Sequence, residues 1–257
     1  MAKTVVFVHG AWVSPGCWDL FKARYEQRGY TCLAPAWPRD DRPVEELRRS
    51  PAPELAHVGV TEIVEHYANI VSQLDEPPIL VGHSFGGLFV QMLLDRGLGA
   101  AGVALDPAPP RGVLAGPKAV RASFGVLRTW RGWAKVLTTT YERFRWGFVS
   151  ELTEADARAA FDRYVIPTPG RVFFQAAFGK GTKVNFGNAT RAPLLITAGS
   201  IDRTVPARMN RSNFRKYRKS AAVTAFKEFE GRTHWLIAEP GWEEVADFAI
   251  TWAEEHA

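Results

Sequence analysis

Val81-Gly82-His83-Ser84-Phe85-Gly86-Gly87 links one apolar run, Pro78-Ile79-Leu80, to another, Leu88-Phe89-Val90-Gln91-Met92-Leu93-Leu94. A short strand therefore meets a helix with almost no loop between them. A serine held in so sharp a turn is strained toward positive φ, and its hydroxyl stands clear of the sheet edge. Such a turn crowds the positions two before and two after the serine. Both are glycine here, Gly82 and Gly86. The fold follows from asking which elements surround this turn, and the chemistry from asking what the serine needs.

Working outward, Thr4-Val5-Val6-Phe7-Val8 is β-branched and apolar, as a strand covered on both faces of a parallel sheet should be. A helix is expected over 17–28, stopped by Gly29, and a strand over 30–35. Residues 39–58 are rich in Pro, Arg and Asp and read as a surface connection. Val60, Ile63, Val64, Tyr67, Ile70, Val71 and Leu74 keep helical spacing over four turns. Strand, helix and strand follow over 78–82, 85–96 and 100–105. This alternation predicts an α/β fold: a doubly wound, mostly parallel sheet of about six strands. The alternation stops near Pro107 and resumes near Ala192, with strands over 193–198 and 222–229 and helices over 207–219 and 242–255. The expected division is a core of residues 1–106 and 191–257, with an insertion over 107–190 after the strand ending at Asp106. Inside the insertion, Thr153 with Asp156 reads as an N-cap opening a helix.

Composition narrows the class. Apolar content of 46% and charge of 23% are ordinary for a soluble globular chain of 257 residues. Two cysteines, Cys17 and Cys32, are too few for a disulfide framework and fit a reducing compartment. The N-terminus lacks the apolar core and cleavage site of a signal peptide, and no apolar run reaches the roughly 18 residues of a membrane span. A soluble cytoplasmic protein is expected, as a monomer or homodimer. The net charge of +5 is uneven: residues 111–191 hold 14 Lys/Arg against 5 Asp/Glu, and the remainder 18 against 22. No nucleic-acid motif or continuous basic run accompanies this surplus, so nucleic acid is not an expected partner.

A serine hydroxyl becomes a useful nucleophile with a base to take its proton, an acid to orient that base, and donors for the oxyanion. In an open α/β sheet these groups lie beyond the C-terminal ends of the strands. His234, in Glu230-Gly231-Arg232-Thr233-His234-Trp235, follows the last predicted strand and is the candidate base. His57, His66 and His256 fall elsewhere; His83 is expected to turn into packing, and His9 to brace its own loop. Asp202, in Gly199-Ser200-Ile201-Asp202, is the favoured acid on the chain order Ser…Asp…His. Asp106, which also ends a strand, is the alternative acid. The backbone N–H groups of Phe85 and Ala11 are the expected oxyanion donors, and Trp12 and Trp235 the expected pocket residues.

Together, His9-Gly10-Ala11-Trp12, Gly82 to Gly87, Gly199 to Pro206 and His234 resemble the α/β-hydrolase superfamily in its serine esterase branch. The short start and the H-G-A-W entry are similar to the small methylesterase and hydroxynitrile lyase group. The resemblance implies a nucleophile elbow at Ser84, a helical cap over 107–190, and hydrolysis of carboxylic esters through an acyl-enzyme without cofactor or metal. The cap holds 13 of the 31 aromatic residues, among them Trp130, Trp133, Trp146, Phe173, Phe174 and Phe178. A small-molecule ester with an apolar or aromatic group is therefore the expected substrate, and the basic surplus would attract an anionic one. The same triad serves perhydrolases, thioesterases, lactonases and C–C hydrolases; a hydroxynitrile lyase would need a lysine at the site, from Lys118, Lys135, Lys180 or Lys183. Dehalogenases and epoxide hydrolases normally carry Asp where this chain has Ser84. A third class is a non-catalytic ligand receptor on a hydrolase fold.

Overall fold

The computed structural model describes residues 3–114 and 125–257. In chain order its strands are β1 (Thr4–Val8), β2 (Thr31–Leu33), β3 (Ile79–His83), β4 (Ala101–Leu105), β5 (Val136–Leu137), β6 (Thr168–Pro169), β7 (Leu194–Gly199) and β8 (Thr224–Phe229). Six of them form one sheet in the order β2-β1-β3-β4-β7-β8, every neighbour parallel. In β3, β4 and β7 every residue is buried, so these strands are apolar almost throughout instead of alternating.

The strand register gathers the candidate residues. Val8 lies opposite Gly82, and His83 opposite Leu105. The residues just beyond these strands, His9-Gly10-Ala11, Ser84 and Asp106, therefore emerge side by side at one end of the sheet. The loops after β7 and β8, which carry Asp202 and His234, leave at the same end.

Helices cover both faces: α1 (Asp19–Gln27), α2 (Val44–Arg49), α3 (Val60–Ser72) and α4 (Phe85–Asp95) precede the insertion. Within the insertion lie α5 (Tyr141–Gly147), α6 (Glu154–Tyr164) and α7 (Gly170–Ala177); α8 (Ala207–Lys216) and α9 (Trp242–His256) come after it. On one face α1 meets α9, where the Tyr25 hydroxyl donates to the Ala246 carbonyl (2.9 Å) and Arg24 holds Asp247 with two bonds of 2.5 Å. That ion pair is partly exposed, so solvent screening leaves it little weight in the stability of the fold. The packing beneath matters more: the Phe7 ring lies 4.9 Å from Trp18 and 5.6 Å from Tyr25. On the other face α3 packs on α4, and α8 reaches α4 through Asn213, whose amide donates to Gln91 (2.9 Å). Among the described residues no helix is long and apolar enough to cross a membrane.

Two features differ from the sequence-based expectation. Residues 39–58 are not a plain surface connection: they hold α2 and a 3-10 turn at Pro53–His57, and bury Leu47, Leu55 and Ala56. A helix of six residues gives too short a periodicity to stand out among prolines and arginines. The insertion also carries a small antiparallel ladder, Val136 with Pro169 and Leu137 with Thr168.

The insertion is stitched to the loop after β1. Val13 and Val165 form an isolated antiparallel bridge; Ser14 N donates to Tyr164 O (2.8 Å) and Ile166 N to Trp12 O (2.9 Å). Trp12 N donates to the Thr168 hydroxyl (2.8 Å). α6 opens on Thr153, whose side chain accepts from Asp156 N, and Arg48 of α2 donates to the carbonyls of Val165 (2.7 Å) and Phe161 just beyond and within its last turn.

Asp40 is buried in the turn after Trp37, and burial raises its carboxyl from 3.8 to about 8. A carboxyl with a raised folded pKa is without penalty below its unfolded value, and its contribution is lost as pH rises through the folded one. Asp40→Asn is therefore expected to raise Tm at pH 8, with a gain that shrinks steadily toward pH 4. Thermal melts of both proteins across that window check it; a gain that grows on acidification would contradict it.

Candidate active site

Ser84 has φ 56° and ψ −119°, between β3 and α4. Its backbone is clamped on both sides: Ser84 N donates to Leu105 O (2.9 Å), while Ser84 O accepts from Ala108 N (2.9 Å) and Leu88 N (3.2 Å). The elbow exists because backbone meets backbone around it. A Cβ on Gly82 would lie 2.2 Å from Gly86 O, and one on Gly86 would lie 1.9 Å from Val8 O. Gly10 is needed for the same reason, since its Cβ would fall 2.9 Å from Ser84 Cβ. Phe85 is the first residue of α4, so its N–H is one of those a helix leaves without an intrahelical acceptor. Ala11 and Phe85 line the same cleft as Ser84.

His9 holds the first-strand loop in place. Burial lowers its pKa to about 4, leaving a neutral ring. Nδ1–H donates to Gly10 O (2.9 Å), Nε2 accepts from Trp37 N (3.1 Å), and the Trp37 indole N–H donates back to His9 O (3.2 Å). The two rings stack at 5.1 Å.

Asp202 and His234, the acid and base candidates, lie in hydrogen-bond contact. Nδ1–H of His234 donates to Asp202 Oδ2 at 2.6 Å, both side chains being fully buried. Asp202 Oδ1 accepts from Thr204 N (2.6 Å) and Val205 N (2.8 Å), which fixes the carboxylate. The base loop is pinned separately: Thr233 N and Oγ1 donate to the Glu239 carboxylate at 3.0 and 2.5 Å. The acid and base loops touch directly through Ile201 N to Arg232 O (3.1 Å). Asp106 lies beneath them, accepting Gly199 N on Oδ1 (2.8 Å), with Oδ2 3.9 Å from His234 Nδ1. Burial, and next the charge of Asp202, push the Asp106 carboxyl well above the ordinary range. Among the described residues Asp106, Asp202 and His234 bring three possible metal ligands within 4.8 Å; the imidazole proton already occupies the face of Asp202 that a cation would take.

Sequence reasoning missed two neighbours of His234. His83 Nε2–H donates to the His234 carbonyl (2.8 Å), and the two rings lie 4.6 Å apart. Phe148 sets its ring edge-on to His234 at 4.7 Å. Nε2 of His234 has no hydrogen-bond partner among the described residues. No periodicity marks Phe148 in the sequence, and its position became visible only once the insertion was folded.

The cleft holding Ser84 has a volume of about 1230 Å³. Trp12 lines it as expected, stacked at 4.9 Å on Phe173, which meets Phe85 edge-on at 5.3 Å. Trp235 does not line it. Its indole is buried against Phe144, Phe148 and Tyr164, because the residue after His234 points back into the interface between core and insertion. Trp146, Phe173 and Phe178 of the insertion do line the cleft, whereas Trp130 is 79% exposed and outside it. Arg111, Arg128 and Arg143 line it beside one acid, Glu142. Lys135, Lys180 and Lys183 are exposed away from the cleft, and Lys118 lies outside the described residues. Gly86→Ala is expected to cost roughly 3 kcal/mol or more, by overpacking against backbone that cannot yield. Gly187→Ala, in an open loop, is expected within about 0.5 kcal/mol of the wild type. Urea unfolding of both variants checks the contrast.

No curated protein sequence matches the chain. Among solved structures it is similar to a monoacylglycerol lipase of Paleococcus ferrophilus (TM-score 0.73, 20% identity, 100% of this chain and 96% of that one). An extracellular alpha/beta-hydrolase from a Paenibacillus species gives a TM-score of 0.69 at 21% identity, over 96% of this chain and 98% of that one. An Arabidopsis methylesterase gives 0.72 at 14% identity, over 98% of each chain. These likenesses concern the fold. The alpha/beta hydrolase family model matches residues 5–248, nearly the whole chain including the sheet, the Ser84 turn and the loops of Asp202 and His234, and the protein belongs to that family.

Proposed function

We infer that the protein is a serine hydrolase of carboxylic esters, with Ser84 as nucleophile, His234 as base and Asp202 as its orienting acid. The observation that carries this reading is the buried 2.6 Å bond between His234 Nδ1 and Asp202 Oδ2, which leaves Nε2 without a hydrogen-bond partner among the described residues, on a ring 4.6 Å from that of His83, the residue before Ser84. A neutral imidazole held by Nδ1–H has its lone pair on Nε2, the atom that accepts a hydroxyl proton. Ser84 Oγ attacks the ester carbonyl carbon as its proton passes to Nε2. The tetrahedral oxyanion is held by the Phe85 and Ala11 N–H groups. Collapse breaks the C–O bond, and His234 returns the proton to the departing alcohol. Water, deprotonated by His234, then releases the acid and restores Ser84.

Residues 107–190 act as a cap in this reading, and Trp12, Phe85, Phe148 and Phe173 supply the apolar wall that favours an apolar or aromatic ester group. The three cleft arginines would favour an acidic substituent away from the ester. The lipase and methylesterase among the structural neighbours agree with ester chemistry. The cleft holds none of the lysines of the described residues, which disfavours the lyase variant.

A fluorophosphonate probe is expected to label the wild type and not Ser84→Ala; equal labelling of both would sink the assignment. Asp202→Asn should lower kcat by roughly 10³–10⁴-fold, since the amide favours the wrong tautomer of His234. A panel of neutral and acidic esters of graded acyl size, run beside Ser84→Ala, reads out the substrate class.

A further inference from the structure

Two buried carboxyl groups face one imidazole nitrogen, and the triad chemistry uses one of them. Asp202 Oδ2 is 2.6 Å and Asp106 Oδ2 3.9 Å from His234 Nδ1, and the two carboxyl groups each bring an oxygen within 4.8 Å of the other. Among the described residues no N–H or hydroxyl donates to Asp106 Oδ2, although it is fully buried. Two ionised carboxylates this near offer each other lone pairs alone and repel; a proton on one of them lets it donate to the other.

The partners of each group decide where that proton sits. Asp202 receives three donors: the N–H groups of Thr204 and Val205 on Oδ1, and the imidazole on Oδ2. Asp106 receives one, the Gly199 amide on Oδ1. Donors stabilise an anion, so the negative charge belongs on Asp202. Among the described residues, the other ionisable groups around the pair add no cation to hold a second charge. His83 from β3 is buried, and burial together with His234 lowers its pKa. Glu239, from the turn before α9, is itself acidic and buried. The backbone is also built for this contact: Asp106 directly follows β4 at φ 44°, a conformation rare outside glycine, asparagine and aspartate.

We propose that Asp106 is a positioning residue in its neutral form: Oδ1 accepts the Gly199 amide, and the Oδ2–H proton is donated to the Asp202 carboxylate, holding that carboxylate against His234. Asp106 then acts on the reaction through Asp202, and at once ties the end of β7 to the end of β4. This rests on the triad assigned above. It also separates the two acids: Asp202 is the charged partner of the base, and Asp106 the neutral donor behind it.

Asparagine can reproduce both contacts, accepting from Gly199 with Oδ1 and donating to Asp202 with Nδ2, whereas leucine can make neither. Asp106→Asn is therefore expected to keep kcat within about threefold of the wild type, and Asp106→Leu to lose kcat roughly tenfold or more at unchanged KM. A loss in Asp106→Asn as large as that in Asp202→Asn would overturn the proposal, because Asp106 would then be the charged acid. Wild-type kcat in Asp106→Leu would overturn it as well. If the leucine variant does not fold, infrared spectroscopy decides. The difference spectrum of wild type minus Asp106→Asn at neutral pH should contain the carbonyl stretch of a protonated carboxylic acid, and carboxylate bands in its place refute the assignment. Probe labelling of Ser84→Ala in the same series tests the triad separately, since the infrared band does not depend on which residue is the nucleophile.

Discussion

The structure depends on a contact between two stretches of backbone. Gly86, in the first turn of α4, lies against the carbonyl of Val8 at the end of β1, with no room for a single methyl group. Gly82 is pressed in the same way against Gly86 itself. These contacts let α4 begin immediately after β3, which drives Ser84 to positive φ and leaves the first amides of the helix without intrahelical acceptors. Strain of this kind persists when neighbouring elements over-determine it. Here the sheet register supplies that constraint, with β1 on one side of β3 and β4 on the other.

Around that turn, polar groups are buried in a consistent pattern. His9 is neutral and joins Trp37 to the first-strand loop. Asp202 is given three donors, while Glu239 secures the loop that carries His234. Each of these buried groups is therefore matched locally, as burial in a low-dielectric interior requires. Among the described residues, three of the five non-glycine positions at positive φ, namely Trp12, Ser84 and Asp106, lie beyond the ends of the three adjacent strands β1, β3 and β4. Conformational strain is thus concentrated where side chains must be aimed.

Much of this was legible in the sequence because it is written in backbone requirements and strand periodicity. Glycines at 82 and 86 have one steric explanation, and the strand-like runs before Ser84, Asp202 and His234 put all three beyond strand ends of one parallel sheet. What remained hidden depends on side chains meeting across long separations. Helix α2 was obscured by its short length and by the prolines around it. Trp235 follows His234 in sequence, which suggests a place at the pocket, yet the chain turns it inward, and Phe148 and Phe173 from the insertion take the places beside the site. Asp106 was visible as a carboxyl at a strand end, but its relation to Asp202 exists in three dimensions alone.

The stitching between residues 12–14 and 164–168 bears on how such a protein diversifies. Immediately after Ala11, the Trp12 amide donates to the Thr168 hydroxyl and the Trp12 carbonyl accepts from the Ile166 amide. The insertion is therefore part of the scaffold that sets the path of the loop after β1, in addition to lining the cleft. Replacing it wholesale with a segment from a relative would carry away the partners of Trp12. A second set of ties, Phe148 edge-on to His234 and the Gly147 carbonyl accepting from the Thr204 hydroxyl, fixes the insertion to the base and acid loops, so exchange is least disruptive in stretches that touch none of these three loops.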